Sequence, residues 1–308
     1  MPLYSGLERE MQMDGVIILN KGDSMTSQSA VNRIKRLFGV KKAGHTGTLD
    51  PMATGVLPIL VGRAVKASEF MLTQDKHYRA TLRLGITTDT EDTSGEILTS
   101  CDLIPNEEDV LSAISSFVGK YLQTPPMYSA LKVGGKKLCD LARDGITIER
   151  EPREIEIYSI NAKRLSEKEY SLDVHCSKGT YIRTLCADIG KTLGVGGVMS
   201  ALLRTTASGF TLEDAHTLEE MENMSEEERL SLIIPTENIF TSWREVKLPD
   251  FFARLAHSGL EIYLKKIGLT ANIGEKFKIY DKSGFFAVGE VREFEGGLAI
   301  KPIRMFRD

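Results

Sequence analysis

The 308-residue sequence predicts an α+β fold with a small barrel-like module at its end, and three observations carry that reading. Strictly alternating strands stand beside amphipathic helices without a regular strand–helix–strand beat. The composition, 42% hydrophobic and 27% charged, gives enough apolar area for one large or two modest domains and excludes a disordered chain. From residue 246 onward the chain reads as short strands separated by turns.

Taken in order, residues 1–13 lack the basic and apolar regions of a signal peptide and read as a loose leader. Val16, Ile17, Ile18 and Leu19 form a continuous apolar run, as in a strand buried on both faces, and residues 20–27 follow as a polar loop. The next segment is a helix. Thr26 or Ser27 can cap it, Ala30, Val31, Ile34, Leu37 and Phe38 fall at helical spacing, and Gly39 can close it. Tyr78, Ala80, Leu82 and Leu84 alternate with Arg79, Thr81 and Arg83; Tyr170, Leu172, Val174 and Cys176 alternate with Ser171, Asp173 and His175. Both are half-buried strands. Ile182, Leu185, Ile189 and Leu193 then step through an amphipathic helix that ends at Gly194. A connector over residues 235–249 leads into a hairpin of residues 276–280 and 285–288 about the turn 281–284, with further strands at 289–291 and 298–303.

Net charge is −4, but its distribution is uneven. Residues 33–66 hold seven bases and one acid, Asp50, whereas residues 89–109 and 213–228 each hold eight acids and no base. A partner feels the local field rather than the sum, so a nucleic-acid face remains open to the basic part. Cys101, Cys139, Cys176 and Cys186 form no close pair, which excludes a zinc knuckle or CxxC redox site and fits a reducing cytoplasm. The five histidines make no metal-ligand pattern, and no apolar run reaches bilayer-spanning length. The glycines at 194, 196 and 197 follow a helix, so they fail as a dinucleotide fingerprint, and no GxxxxGK[ST] stretch exists.

Four segments are candidates for chemistry. The run Gly44-His45-Thr46-Gly47-Thr48-Leu49-Asp50-Pro51 puts one carboxylate on a glycine-rich loop amid cations, where it would weaken phosphate binding unless it had a task. Asp50 admits a second reading, as the cap of a short helix with Pro51 at its first position. The run Cys176-Ser177-Lys178-Gly179-Thr180-Tyr181-Ile182-Arg183-Thr184 passes through glycine into a helix whose first turn offers Arg183 to an anion or carboxylate; a routine turn with a surface Arg is the plain alternative. Residues 120–153, seven bases against four acids with Tyr128 interleaved, read either as a mobile RNA-gripping arm or as a solvated hairpin. Tyr78 is a core or rim aromatic or a platform for a base.

With these motifs in place, the sequence resembles the TruB family of tRNA pseudouridine synthases. The Asp50 loop resembles that family's nucleophile motif, Lys76-His77-Tyr78-Arg79 its second, and Pro126-Met127-Tyr128-Ser129-Ala130-Leu131-Lys132 and the Arg183 segment two more, in the family's order over about residues 14–210. The resemblance implies a pseudouridine synthase fold over residues 14–240, with a central mixed, largely antiparallel sheet flanked by helices and loops, an RNA-gripping insertion at 120–153, and a PUA-like RNA-binding domain over 246–308. It implies isomerisation of the uridine at position 55 in the T loop of tRNA, by base flipping and without a cofactor. Asp50 then matches the catalytic aspartate, Tyr78 the aromatic that stacks on the target base and Arg183 the partner of the aspartate. His45, Tyr181 and Leu202 match positions lining the RNA pocket, and Lys21 and Lys132 fall within substrate-binding motifs.

Two positions depart from the family's first motif: Gly22 stands where proline is usual and Ser24 where glycine is usual. Relatives working with guide RNA carry long basic tails, and their absence here favours a stand-alone enzyme that works on the T stem-loop without guide RNA; a cytoplasmic monomer is the default expectation. Arg183 beside Asp50 is expected to depress its pKa. The competing class is a non-catalytic tRNA-binding or RNA-folding protein; only Asp50, Tyr78 and Arg183 together separate the two.

Overall fold

The structure, a computed structural model, describes residues 13–307, so all of the leader but Met13 lies outside the described residues. The main elements are β1 (Gly15–Lys21), α1 (Ser27–Leu37), β2 (Thr54–Val61), β3 (Lys76–Leu84), β4 (Gly119–Gln123), β5 (Arg153–Arg164), β6 (Glu169–Cys176), α2 (Ile182–Thr192) and β7 (Gly197–Ala207). Their strands order as β1-β2-β7-β3-β6-β5-β4 within one ten-stranded sheet. Every adjacent pair in that path is antiparallel except β2 with β7, so the sheet is mixed and largely antiparallel.

The alternation read from the sequence sets the faces. On β3 the residues Lys76, Tyr78, Ala80, Leu82 and Leu84 are buried, and on β6 Tyr170, Leu172, Val174 and Cys176 are. All of these but Lys76 pack with Val31 and Ile34 of α1 and Leu185 and Ile189 of α2 into one core. Helix α1 starts where expected, with the Thr26 hydroxyl accepting the Ser29 N–H at 3.1 Å, and it stops at Gly39, whose φ of +65° costs an L side chain but not glycine.

The C-terminal module contains β8 (Arg244–Lys247), α3 (Asp250–His257), β9 (Lys276–Asp281), β10 (Gly284–Phe294) and β11 (Gly297–Met305), with β8, β9, β10 and β11 consecutive in a five-stranded sheet. Three features differ from the sequence expectation. The 235–249 connector is structured: its residues 244–247 pair in parallel with β9, and a helix follows at once, because Phe252, Ala253 and Ala256 seal one end of the module's core. Residues 289–291 do not start a new strand but continue β10, which runs unbroken across the register shift at Val288/Gly289. The basic excursion begins later than residue 120, since residues 119–123 are sheet residues paired with 153–157.

Candidate active site

Asp50 lies on an irregular loop, not at a helix cap: the chain turns once, with the Ala53 N–H donating to the Asp50 carbonyl at 3.0 Å, and enters β2 at Thr54. Two buried side chains pin the loop on either side of it. The Ser27 hydroxyl accepts the Leu49 N–H at 2.8 Å and donates to the Leu49 carbonyl at 3.0 Å. The Lys21 ammonium donates to the carbonyls of Gly22, Met25 and Pro51 at 2.8, 2.7 and 3.1 Å. All three of its protons are thereby committed, and it has no exposed surface, with burial lowering its pKa to about 8. Lys21 therefore positions the loop and does not face a substrate.

Arg183, at the start of α2, meets Asp50 side-on: Nε lies 2.9 Å from Oδ2 and Nη2 3.2 Å from Oδ1, a bidentate pair. The guanidinium is fixed from behind, donating to the carbonyls of Thr90 and Tyr128 at 3.0 and 2.7 Å, with the Asp92 carboxylate 3.7 Å away. Asp92 is itself held by the Ser94 N–H and by the hydroxyls of Thr90 and Ser94. The Arg183 side chain is only 6% exposed, whereas Asp50 keeps 31% of its side chain open to the cleft. The expected depression of the Asp50 pKa is not the outcome. Removal from water raises it, Arg183 lowers it, and the first effect is the larger, with Asp92 adding to the rise.

Above the pair is a cavity of about 260 Å³. Asp50, Arg183, Tyr78, Tyr181 and Leu202 all line it, so these five expected residues converge there. Tyr78 comes from the inward face of β3 and is 8% exposed; burial raises its pKa and keeps the phenol neutral. Tyr181 is clamped through its backbone by Gln123, whose Oε1 accepts its N–H at 2.8 Å and whose Nε2 donates to its carbonyl at 3.1 Å. His45 does not line the cavity. Its Nδ1 accepts the Gly47 N–H at 3.3 Å, and burial together with Arg204 lowers its pKa, which leaves a neutral ring with Nε2 as the donor. Lys132 lies away from the cavity on the exposed hairpin of Lys132–Val133 with Lys136–Lys137.

The expected residues omit four that shape the site: Gln123, Asp92, Lys76 and Arg204. For Lys76 the signal was present, because it continues the inward phase of Tyr78, Ala80 and Leu82. Asp92 was hidden in an acidic run, and Gln123 at the end of an edge strand carried no pattern.

A mixed sheet with a buried arginine gripping the carboxylate of a glycine-rich loop, beside two tyrosines, defines a pseudouridine synthase. The model of the TruB family pseudouridylate synthase N-terminal domain matches residues 35–182, and that of the tRNA pseudouridylate synthase B C-terminal domain matches residues 183–241. The chain belongs to the TruB family. It is 43% identical over 282 residues to tRNA pseudouridine synthase B of Alkaliphilus oremlandii (strain OhILAs), covering 91% of this chain and 94% of that one. To the protein of the same name from Clostridium tetani (strain Massachusetts / E88) it is 41% identical over 279 residues, 90% of this chain and 96% of that one. Among solved structures, a chain from the crystal structure of a Cbf5-Nop10-Gar1 complex matches with a TM-score of 0.70 at 26% identity, over 96% of this chain and 85% of that chain. The fold is thus the pseudouridine synthase fold followed by a PUA-like β module.

Proposed function

We propose that the chain converts the uridine at position 55 in the T loop of tRNA to pseudouridine, with the reaction centred on Asp50. The reaction breaks the N1–C1′ bond, turns the uracil and joins C5 to C1′, so it has no net redox change and calls for no cofactor. The target lies in a folded loop and must be extruded, at a cost of a few kcal/mol in unstacking that stacking on Tyr78 and phosphate contacts offset. Tyr181 and Leu202 enclose the extruded nucleotide, His45 braces Gly47 at the cavity wall, and Lys132 with its hairpin grips backbone outside the cavity.

Asp50 serves as the ionised group that attacks C1′, adds to C6 or removes the 2′ proton; each role requires a bare carboxylate facing the sugar. The single observation that carries the reading is the bidentate Arg183–Asp50 pair at the floor of a cavity walled by Tyr78 and Tyr181. The enzyme acts in the cytoplasm as a monomer, on tRNA and without a guide RNA. The test is incubation of unmodified tRNA transcript with wild type and Asp50→Asn, followed by chemical mapping of pseudouridine. Wild type is expected to modify position 55, and Asp50→Asn to form no product while binding within about tenfold of wild type. Product from Asp50→Asn would overturn the assignment, and binding without product by wild type would leave a protein that only holds RNA.

A further inference from the structure

Two cations on the cavity wall have no carboxylate in contact with them. Lys76 and Arg204 are 8% and 1% exposed, yet among the described residues neither has a carboxylate within 4.0 Å. The alternation of β3 turns Lys76 to the same side as Tyr78, and the β3–β7 register sets Arg204 opposite Tyr78. Two buried like charges this close are costly until an anion joins them. Burial and then the neighbouring Arg204 push the Lys76 pKa down, and the smaller upward pull of Cys176 and Asp75 does not offset them.

Both side chains border Gly47 and keep donors beyond their backbone contacts. Arg204 spends Nε on the Val56 carbonyl at 2.7 Å and Nη2 on the Gly47 carbonyl at 3.2 Å, while Lys76 Nζ donates to the Gln74 carbonyl at 2.7 Å and has two protons left. Gly47 has a φ of +138°, and a Cβ placed there would lie 3.6 Å from Arg204 Nη1 and 3.8 Å from Lys76 Cε. The missing side chain thus leaves a gap flanked by both cations, and Gly47, Lys76 and Arg204 all border the same cavity as Asp50.

We propose that Lys76 and Arg204 form a phosphate subsite inside the cavity, taking a phosphodiester next to the extruded nucleotide. The proposal rests on the function argued above and names a contact of that same site. Because Arg204 also holds the Gly47 carbonyl, an anion there fixes the loop that presents Asp50.

The test uses the full chain and T-arm hairpins in which the phosphate on each side of the target uridine is replaced, one at a time, by an uncharged methylphosphonate. The ribose preceding the replaced linkage is 2′-O-methylated for stability, and the same methylated RNA with its normal phosphate is the reference. One replacement is expected to weaken binding to wild type about tenfold. Lys76→Met is expected to lose about the same on the reference RNA, to lose nothing further with that linkage, and to lower the salt slope by about 0.7. Lys76→Arg should restore both binding and slope. Losses that multiply, wild-type binding by Lys76→Met, or indifference to both linkages would overturn the subsite. Failure of wild type to convert the fully natural hairpin would instead sink the function itself, so the two failures are distinguishable.

Discussion

Asp50 carries two opposed influences, and their balance has a kinetic signature. Desolvation raises its pKa and Arg183 lowers it, with desolvation the larger. On the proposed role the reactive form is the ionised one, so a raised pKa moves the acid limb of the pH–rate profile upward. Removing Arg183 leaves the desolvation and deletes the opposing charge, so Arg183→Ala should move that limb further up while lowering the plateau. Single-turnover rates from pH 4 to 8 would check this; a limb that moves down, or stays in place, contradicts the balance. At this scale the sequence disclosed residue types better than their burdens. Asp50, Tyr78 and Arg183 stood out through motif and context, yet the sign of the Asp50 shift depends on how much water the fold removes. Lys21 looked like a basic contact, and only the convergence of three carbonyls on its ammonium shows that it holds a loop.

Among the elements, α2 and β7 decide where Arg183 sits, and two glycines set their spacing. A Cβ on Gly190 of α2 would lie 2.1 Å from the Gly197 backbone nitrogen, so the helix rests directly on the start of β7. Gly190→Ala must push the helix outward against backbone that cannot yield. The expected cost is about 1–3 kcal/mol of stability, measured as a lower urea midpoint with unchanged slope. Because Arg183 opens the same helix, kcat should fall more than RNA affinity; an equal fall in both would place the damage elsewhere. Local patterning made α1, α2, β3 and β6 legible, since each buries one face at a fixed period. The parallel pairing of β2 with β7 was not legible, for it joins Thr54 to Leu203 across a long stretch of chain with no turn to announce it. Nor was α3, whose eight residues are too few for a clear helical period against a strand-rich background.

At the scale of the whole molecule, the catalytic sheet and the C-terminal module meet through an aromatic joint that also contains the chain's one tryptophan. Phe240 is buried at its centre, with ring centroids 5.4 Å from Phe70, 4.7 Å from Trp243 and 5.8 Å from Phe306. Phe70 belongs to the catalytic part, and Phe285 and Phe306 to the C-terminal module. Arg304 pairs with Glu69 across the same joint, but both are well exposed, so apolar contact carries the association. Phe240→Ala should cost about 3–5 kcal/mol at the joint, through lost transfer energy and the cavity left behind. Trp243 makes the event visible, since its ring packs against Phe240 at a 39° tilt and edge-on against Phe70, and as the chain's one tryptophan it reports on this joint. In wild type, urea transitions followed by Trp243 fluorescence and by far-ultraviolet circular dichroism should coincide, because opening the joint and melting either sheet are coupled. In Phe240→Ala the fluorescence transition should move to lower urea and separate from the dichroism, the modules parting before either unfolds. If both signals instead shifted together, the joint would be an integral part of one cooperative core, and a hinge between catalytic sheet and C-terminal module would be excluded.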